Sequence, residues 1–285
     1  MKHLEEISSL IKTLVQSPRI HALVIQSPPG FAKSTTVERL LHEIGASFHL
    51  LGSVATPLSL YNSLCGSPDS VLVIDDCVFG DPLGMAVLKA ATWPSSGSNG
   101  KRIVTWSSTG ERALKPSFEF HGKILLLTNQ ITAFRHSESF LSRALFLELN
   151  FSPSEVAEIL GEATRDPNRY ADQVLAKEVS QFLIDRLSTT KASAISLRTL
   201  EMGYELARTN QDSWRHLLAR LLPENTPDKI LSNLTRKRIS VNSQVREFIK
   251  LTGLSRRSFF NHRNRLRQEL SQNASCTKIR GGERG

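Results

Sequence analysis

The stretch Ser27-Pro28-Pro29-Gly30-Phe31-Ala32-Lys33-Ser34-Thr35 constrains the fold more than any other. The apolar run Ala22-Leu23-Val24-Ile25 precedes it, and a helical pattern opens after it at Thr35-Thr36-Val37. A strand entering a tight turn and then a helix leaves first-turn N–H groups without intrahelical partners, pointing at whatever sits in the turn. Phosphate is the natural occupant of such a nest. Pro29, Gly30, Phe31, Ala32, Lys33, Ser34 and Thr35 are therefore the candidate nucleotide-binding residues. Lys33 would meet such a phosphate as a point charge, with the Ser34 hydroxyl beside it. Taken alone, the stretch also reads as a Pro-Gly turn before an ordinary helix.

The surrounding chain alternates strand and helix patterns. Leu4, Ile7, Leu10, Ile11, Leu14 and Val15 lie at helical spacing, Phe48 to Val54 reads as a strand, and Thr56-Pro57 reads as an N-cap with proline at the first helical position. Val71-Leu72-Val73-Ile74 is the apolar run of a strand buried on both faces, and Asp75-Asp76 ends it where parallel sheets bind ligands. Asp81 to Thr92 reads as a helix. Lys101 to Trp106 and Ser117 to Phe120 read as a hairpin with a turn at Thr109-Gly110, its basic and aromatic residues either structural or touching nucleic acid. Lys123 to Asn129 is the next core strand, Ser142-Arg143 precedes the last one at Ala144 to Leu149, and Ser152-Pro153-Ser154-Glu155 has the capping-box pattern of a helix start. Helical periodicity then runs to about Leu222, with Ala194 to Leu200 beginning a helix that carries Arg198 early.

The stretch at Ser27 to Thr35 resembles the Walker A motif, although Ser27 stands at its first glycine position and Ala32 immediately before the lysine. Asp75-Asp76 resembles Walker B, with Asp76 where glutamate is more usual. In order, these motifs with Asn129, Ser142-Arg143 and the Leu197-Arg198 helix start resemble the AAA+ ATPase family over roughly residues 1–222. Details are similar to clamp loaders, replication initiators, helicase loaders and superfamily-three helicases. The resemblance implies an α/β fold: a P-loop AAA+ core with a five-stranded parallel sheet, an α-helical lid, and a hexamer-like ring or spiral of copies. It implies ATP and Mg²⁺ as ligands, Ser34 and Asp75 as metal ligands, and Asp76, Asn129, Arg143 and Arg198 as catalytic residues. Asp76 and Asn129 would orient water, and the two arginines would stabilise charge. The domains expected are the core at 1–151, the lid at 152–222, a helix-turn-helix-like region at 223–271 and a disordered tail at 272–285.

Charge is divided unevenly. Lys229 to Gly285 holds 14 Lys and Arg against 3 Asp and Glu, a balance of +11, whereas the preceding residues hold 22 against 24, a balance of −2. A near-neutral body with a basic end points to a polyanion partner. After the linker-like Pro223-Glu224-Asn225-Thr226-Pro227, the pattern of a short helix, Thr252-Gly253-Leu254, a Ser255 N-cap and a basic second helix resembles a helix-turn-helix. Leu254, Phe259 and Leu266 would pack inward, and Arg256, Arg257, Ser258, Asn261, His262 and Arg265 would face DNA. The alternative is a basic helical adaptor for an acidic protein surface.

At 285 residues the chain has room for two or three modules. No apolar run approaches the roughly 20 residues of a membrane span. The first residues lack a signal-peptide core, and three cysteines without metal-ligand spacing suit a reducing cytosol, so a cytoplasmic location is expected. The function expected is ATP binding and hydrolysis coupled to action on DNA, in replication initiation, helicase action or loading, or transposition regulation, beside a replication or recombination protein. The rival is a nucleotide-gated DNA-binding assembly factor with little or no hydrolysis. A protein-remodelling ATPase ranks last, since Phe48 to Leu64 holds one tyrosine, Tyr61, and no clear aromatic pore loop.

Overall fold

Three apolar runs form the interior of a parallel sheet. In the computed structural model these are β1 (Ala22–Gln26), β3 (Val71–Asp75) and β6 (Lys123–Thr128), flanked by β2 (Phe48–Gly52) and β7 (Leu145–Glu148) in the order β2-β3-β6-β1-β7. Every neighbouring pair is parallel. The structure describes residues 2–52, 55–76, 82–94, 98–107, 113–130, 138–187, 190, 194–223, 227–237, 239–252 and 254–266. The expected turn at Thr109-Gly110, the start at Asp81, most of the Pro223 to Pro227 linker, Gly253 and the tail at 272–285 lie outside the described residues.

Alternation along each interior strand divides the core into two layers. Ala22, Val24, Leu72, Ile74, Ile124 and Leu126 face one side with the buried residues of α3 (Pro57–Gly66) and α4 (Pro82–Thr92). Leu23, Ile25, Val71, Val73, Leu125 and Leu127 face the other, against α1 (Lys2–Gln16) and α2 (Lys33–Glu43). Both faces are covered, and so these strands read as continuous apolar runs. Thr56 caps α3, accepting from the Ser59 N–H at 3.1 Å.

The inserted strands β4 (Ile103–Thr105) and β5 (Ser117–Glu119) pair antiparallel. Their side chains bear on the two readings of the hairpin. Arg102 is buried, donating from Nη1 to the carbonyls of Ala91 (2.8 Å) and Gly122 (2.9 Å), with its guanidinium 5.2 Å from the centre of the Phe120 ring. Trp106 and Phe118 pack on Tyr61 at 5.6 and 5.2 Å. Arg102 and these aromatics therefore tie the hairpin to the core and do not present an exposed grip on nucleic acid. Burial lowers the Arg102 pKa to about 10.

The chain divides into two units, Met1–Phe151 and Ser152–Gly285. In the second, α6 (Pro153–Ala163) opens with a complete capping box: the Ser152 N–H donates to Glu155 Oε2 at 2.8 Å and the Glu155 N–H to Ser152 Oγ at 3.3 Å. Helices α7 (Gln173–Ile184), α8 (Leu197–Thr209) and α9 (Trp214–Leu221) follow, α7 and α8 capped by Asp172 and Ser196. Then α10 (Pro227–Arg236), α11 (Val241–Thr252) and α12 (residues 256–266) bury Leu231, Leu234, Phe248 and Phe259 among themselves. Leu254 and Leu266 pack against that cluster. No helix among the described residues is long and apolar enough to cross a membrane.

Candidate nucleotide site and nucleic-acid interface

The loop after β1 is fixed to its neighbour strand, because the Ser27 N–H donates to the Thr128 carbonyl at 3.1 Å. Ser27 is buried and its Cβ is accommodated where a glycine was expected. Gly30 (φ 83°) and Ala32 (φ 54°) both take left-handed backbone, the conformation that turns successive N–H groups toward one point. Ala32 is the N-cap of α2 and has no side-chain acceptor, so the first-turn N–H groups of α2 are left to a ligand. Its positive φ adds backbone strain to the crowding that its Cβ implies. Phe31 stacks on Phe151 with centroids 4.4 Å apart, and His3 meets the same ring edge-on at 5.2 Å. Pro29 and Thr35 are exposed.

The polar ends of the three interior strands meet at this loop. Lys33 Nζ donates to the Ser27 carbonyl at 3.1 Å and to Asn129 Oδ1 at 2.5 Å. Ser34 Oγ donates to Asp75 Oδ2 at 2.5 Å. Asp75 Oδ1 is buried and has no hydrogen-bond partner. An unpartnered carboxylate oxygen beside a hydroxyl is a hard-oxygen pair that fits Mg²⁺, which is commonly held by one or two carboxylates together with substrate phosphates. Among the described residues no group of three or more His, Cys, Asp and Glu is arranged to hold a metal without such help. Asp76 is exposed at the end of β3, with left-handed backbone (φ 47°) held by its N–H donating to the Leu127 carbonyl at 3.1 Å.

Arg143 follows the short helix α5 (Glu138–Leu141), and its Nη1 donates back to the Ser139 carbonyl. Arg198 is exposed in the first turn of α8, in the second unit. Sequence reading missed Thr128, whose buried hydroxyl accepts from the Gln130 N–H at 3.1 Å and shapes the turn after β6. The polar run Thr128-Asn129 was its only signal.

Solved structures of a Thermotoga maritima RuvB Holliday junction branch migration motor are similar to this chain. One matches with a TM-score of 0.53 at 13% identity over 90% of this chain and 83% of the other, and a proline-to-glycine variant with 0.55 over the same shares and at the same identity. The chain matches no family model and no curated protein sequence. The loop at residues 27–32 follows β1, which lies between β6 and β7 in a five-stranded parallel sheet. This is the AAA+ P-loop fold. In the AAA+ core, Lys33 bonds Ser27 and Asn129, and the adjacent Ser34 bonds Asp75.

In the C-terminal helices, Ser255 caps α12 by accepting from the Ser258 N–H, and the hydroxyls of the two serines lie 3.2 Å apart. Ser258 is thus engaged in the cap. His262 is half-buried, 6.0 Å from Phe248 between ring centres, and its Nδ1 lies 3.1 Å from Arg265 Nη2. Arg256 lies 5.9 Å from the centre of the Phe260 ring. Arg256, Arg257, Asn261 and Arg265 are exposed.

Proposed function

We propose that the chain binds ATP with Mg²⁺, hydrolyses it, and couples this to action on DNA. The observation that carries the reading is the convergence of Lys33, Ser34, Asp75 and Asn129, linked by two 2.5 Å hydrogen bonds at the carboxyl edge of the sheet. Lys33 and the first-turn N–H groups of α2 hold the phosphates. Ser34 and Asp75 hold Mg²⁺, which when bound neutralises charge on the transferring phosphoryl group. Asn129 and Asp76 orient the attacking water, Arg143 is supplied to the site of a neighbouring copy in a ring or spiral, and Arg198 stabilises charge from the lid. Arg256, Arg257, Ser258, Asn261, His262 and Arg265 are the DNA-contacting set on α12. The charge division of the chain supports a nucleic-acid partner, and the similar structures are of a motor acting at a Holliday junction.

The test is ATP turnover by the purified chain, with and without single-stranded and duplex DNA. Turnover that DNA stimulates, and that Lys33→Ala and Arg143→Ala each reduce by at least about a hundredfold, supports the motor. The strained Ala32 and the short carboxylate of Asp76 favour a second reading, in which nucleotide gates assembly on DNA with little hydrolysis. Absence of turnover with ATP binding retained, and DNA binding tightened by ATP, overturns the motor in favour of that reading.

A further inference from the structure

Helix α12 carries a second amide residue that its sequence pattern did not single out. At 100° per residue, Arg257, Asn261 and Asn264 form one line along the helix, diametrically opposite the buried Phe259, and all three are exposed. The opposite side is occupied: Phe259 packs on Phe248 at 5.4 Å, and Leu266 lies against the same cluster. The outward line is therefore set by the packing of α12 onto α11. Residues 256–266 include four arginines and no carboxylate. On α11, the one acid, Glu247, is 3.8 Å from Lys237 Nζ and so already has a cationic partner. The face presents only cationic and amide donors with amide acceptors.

We propose that Asn261 and Asn264 read two base pairs in the major groove of duplex DNA, with Arg257 and Arg265 anchoring the helix. This rests on the reading of the chain as DNA-acting, and it adds sequence selectivity to it. Asparagine presents one acceptor and one donor side by side, matching N6 and N7 of adenine, whereas arginine matches guanine or phosphate. Residues three apart on a helix are separated by about 4.5 Å along its axis, close to the roughly 3.4 Å rise between base pairs. The two amides therefore meet neighbouring steps of one site. A polyanion-binding surface without readout needs charge alone, and the two amides supply none. Ser258, drawn into the cap, and His262, facing Phe248, are not base readers in this arrangement.

The experiment selects preferred sites from a randomised duplex library with the full chain. It then titrates the selected and a scrambled duplex across a salt series with wild type, Asn264→Ala and Arg257→Ala, helicity being checked by circular dichroism. The expected result is a selected site containing adenine. Asn264→Ala should lose about five- to hundredfold of discrimination at one base pair while its salt slope is unchanged. Arg257→Ala should weaken both duplexes and flatten the slope by about one. Salt-dependent binding that selects no bases, or an Asn264→Ala variant that keeps every preference, overturns the inference and leaves the DNA reading standing. A chain that binds neither duplex at low salt overturns both.

Discussion

Replacing Ala32 with glycine should stabilise the protein. Ala32 sits at φ 54°, ψ 33°, where an L-residue costs roughly 1–2 kcal/mol. Glycine removes that cost but loses about 0.4–1 kcal/mol through the greater freedom of its unfolded chain. The difference spans about 0 to 1.6 kcal/mol and centres on a gain of about 0.8 kcal/mol, which for a unit of this size raises Tm by about 2–3 °C. Differential scanning calorimetry of the full chain measures it, with Ala32→Val as the opposing control, because a β-branched residue is a genuine outlier in this region. Valine should lower Tm by several degrees. Glycine should also admit phosphate more closely and tighten nucleotide binding. If glycine lowers Tm while valine is tolerated, residue 32 does not hold left-handed backbone, and the account of the loop fails.

Arg102→Leu strands the Ala91 and Gly122 carbonyls in the core, and about 2 kcal/mol of stability should be lost, read as a fall in the urea midpoint. His21 has its pKa lowered to about 4 by burial and by the positive charges of Arg102 and Lys123. The unfolded chain then takes up a proton that the folded one refuses, so stability falls as pH drops from about 6.5 toward 4. His21→Gln should flatten the pH dependence of Tm in that window. Phe259→Ala removes a fully buried ring, costing about 3–5 kcal/mol. Loss of duplex binding with ATP binding kept is the expected outcome, and unchanged duplex binding would show that the packing of α12 is not needed.

The strands that carry the candidate nucleotide site were legible because they are buried on both faces. Such strands appear as short apolar runs, and polar residues at their ends stand out, as Asp75 and Asn129 do. Caps were legible for the same local reason: Thr56, Ser152 and Ser255 carry the side-chain acceptors that their helices use, whereas Ser196 was not singled out. The two readings of the hairpin stayed open because a basic residue such as Arg102 beside a strand fits either an exposed or a buried place. Its period-two partner Val104, buried on the same strand, was the signal that it faces inward. The left-handed backbone at Ala32 left no mark in the sequence, since alanine rarely adopts it. Asn264 was passed over although its neighbour Arg265 was chosen; with Phe259 expected inward, the helical spacing that sets Asn264 opposite it was the unused signal.

The hairpin β4–β5 also has a mechanical consequence. It runs into β6 through Phe120 and Gly122, and the N–H groups of His121 and Gly122 donate to the Pro68 carbonyl at 2.8 and 2.7 Å. From Lys123 the strand continues for about 20 Å to Asn129, bonded along its length to β1 and β3. A load on the hairpin is thus delivered along the strand axis, the direction in which a hydrogen-bonded strand yields least, and it arrives at the residue that touches Lys33. The hairpin and the contact with Lys33 are the two ends of one stiff rod.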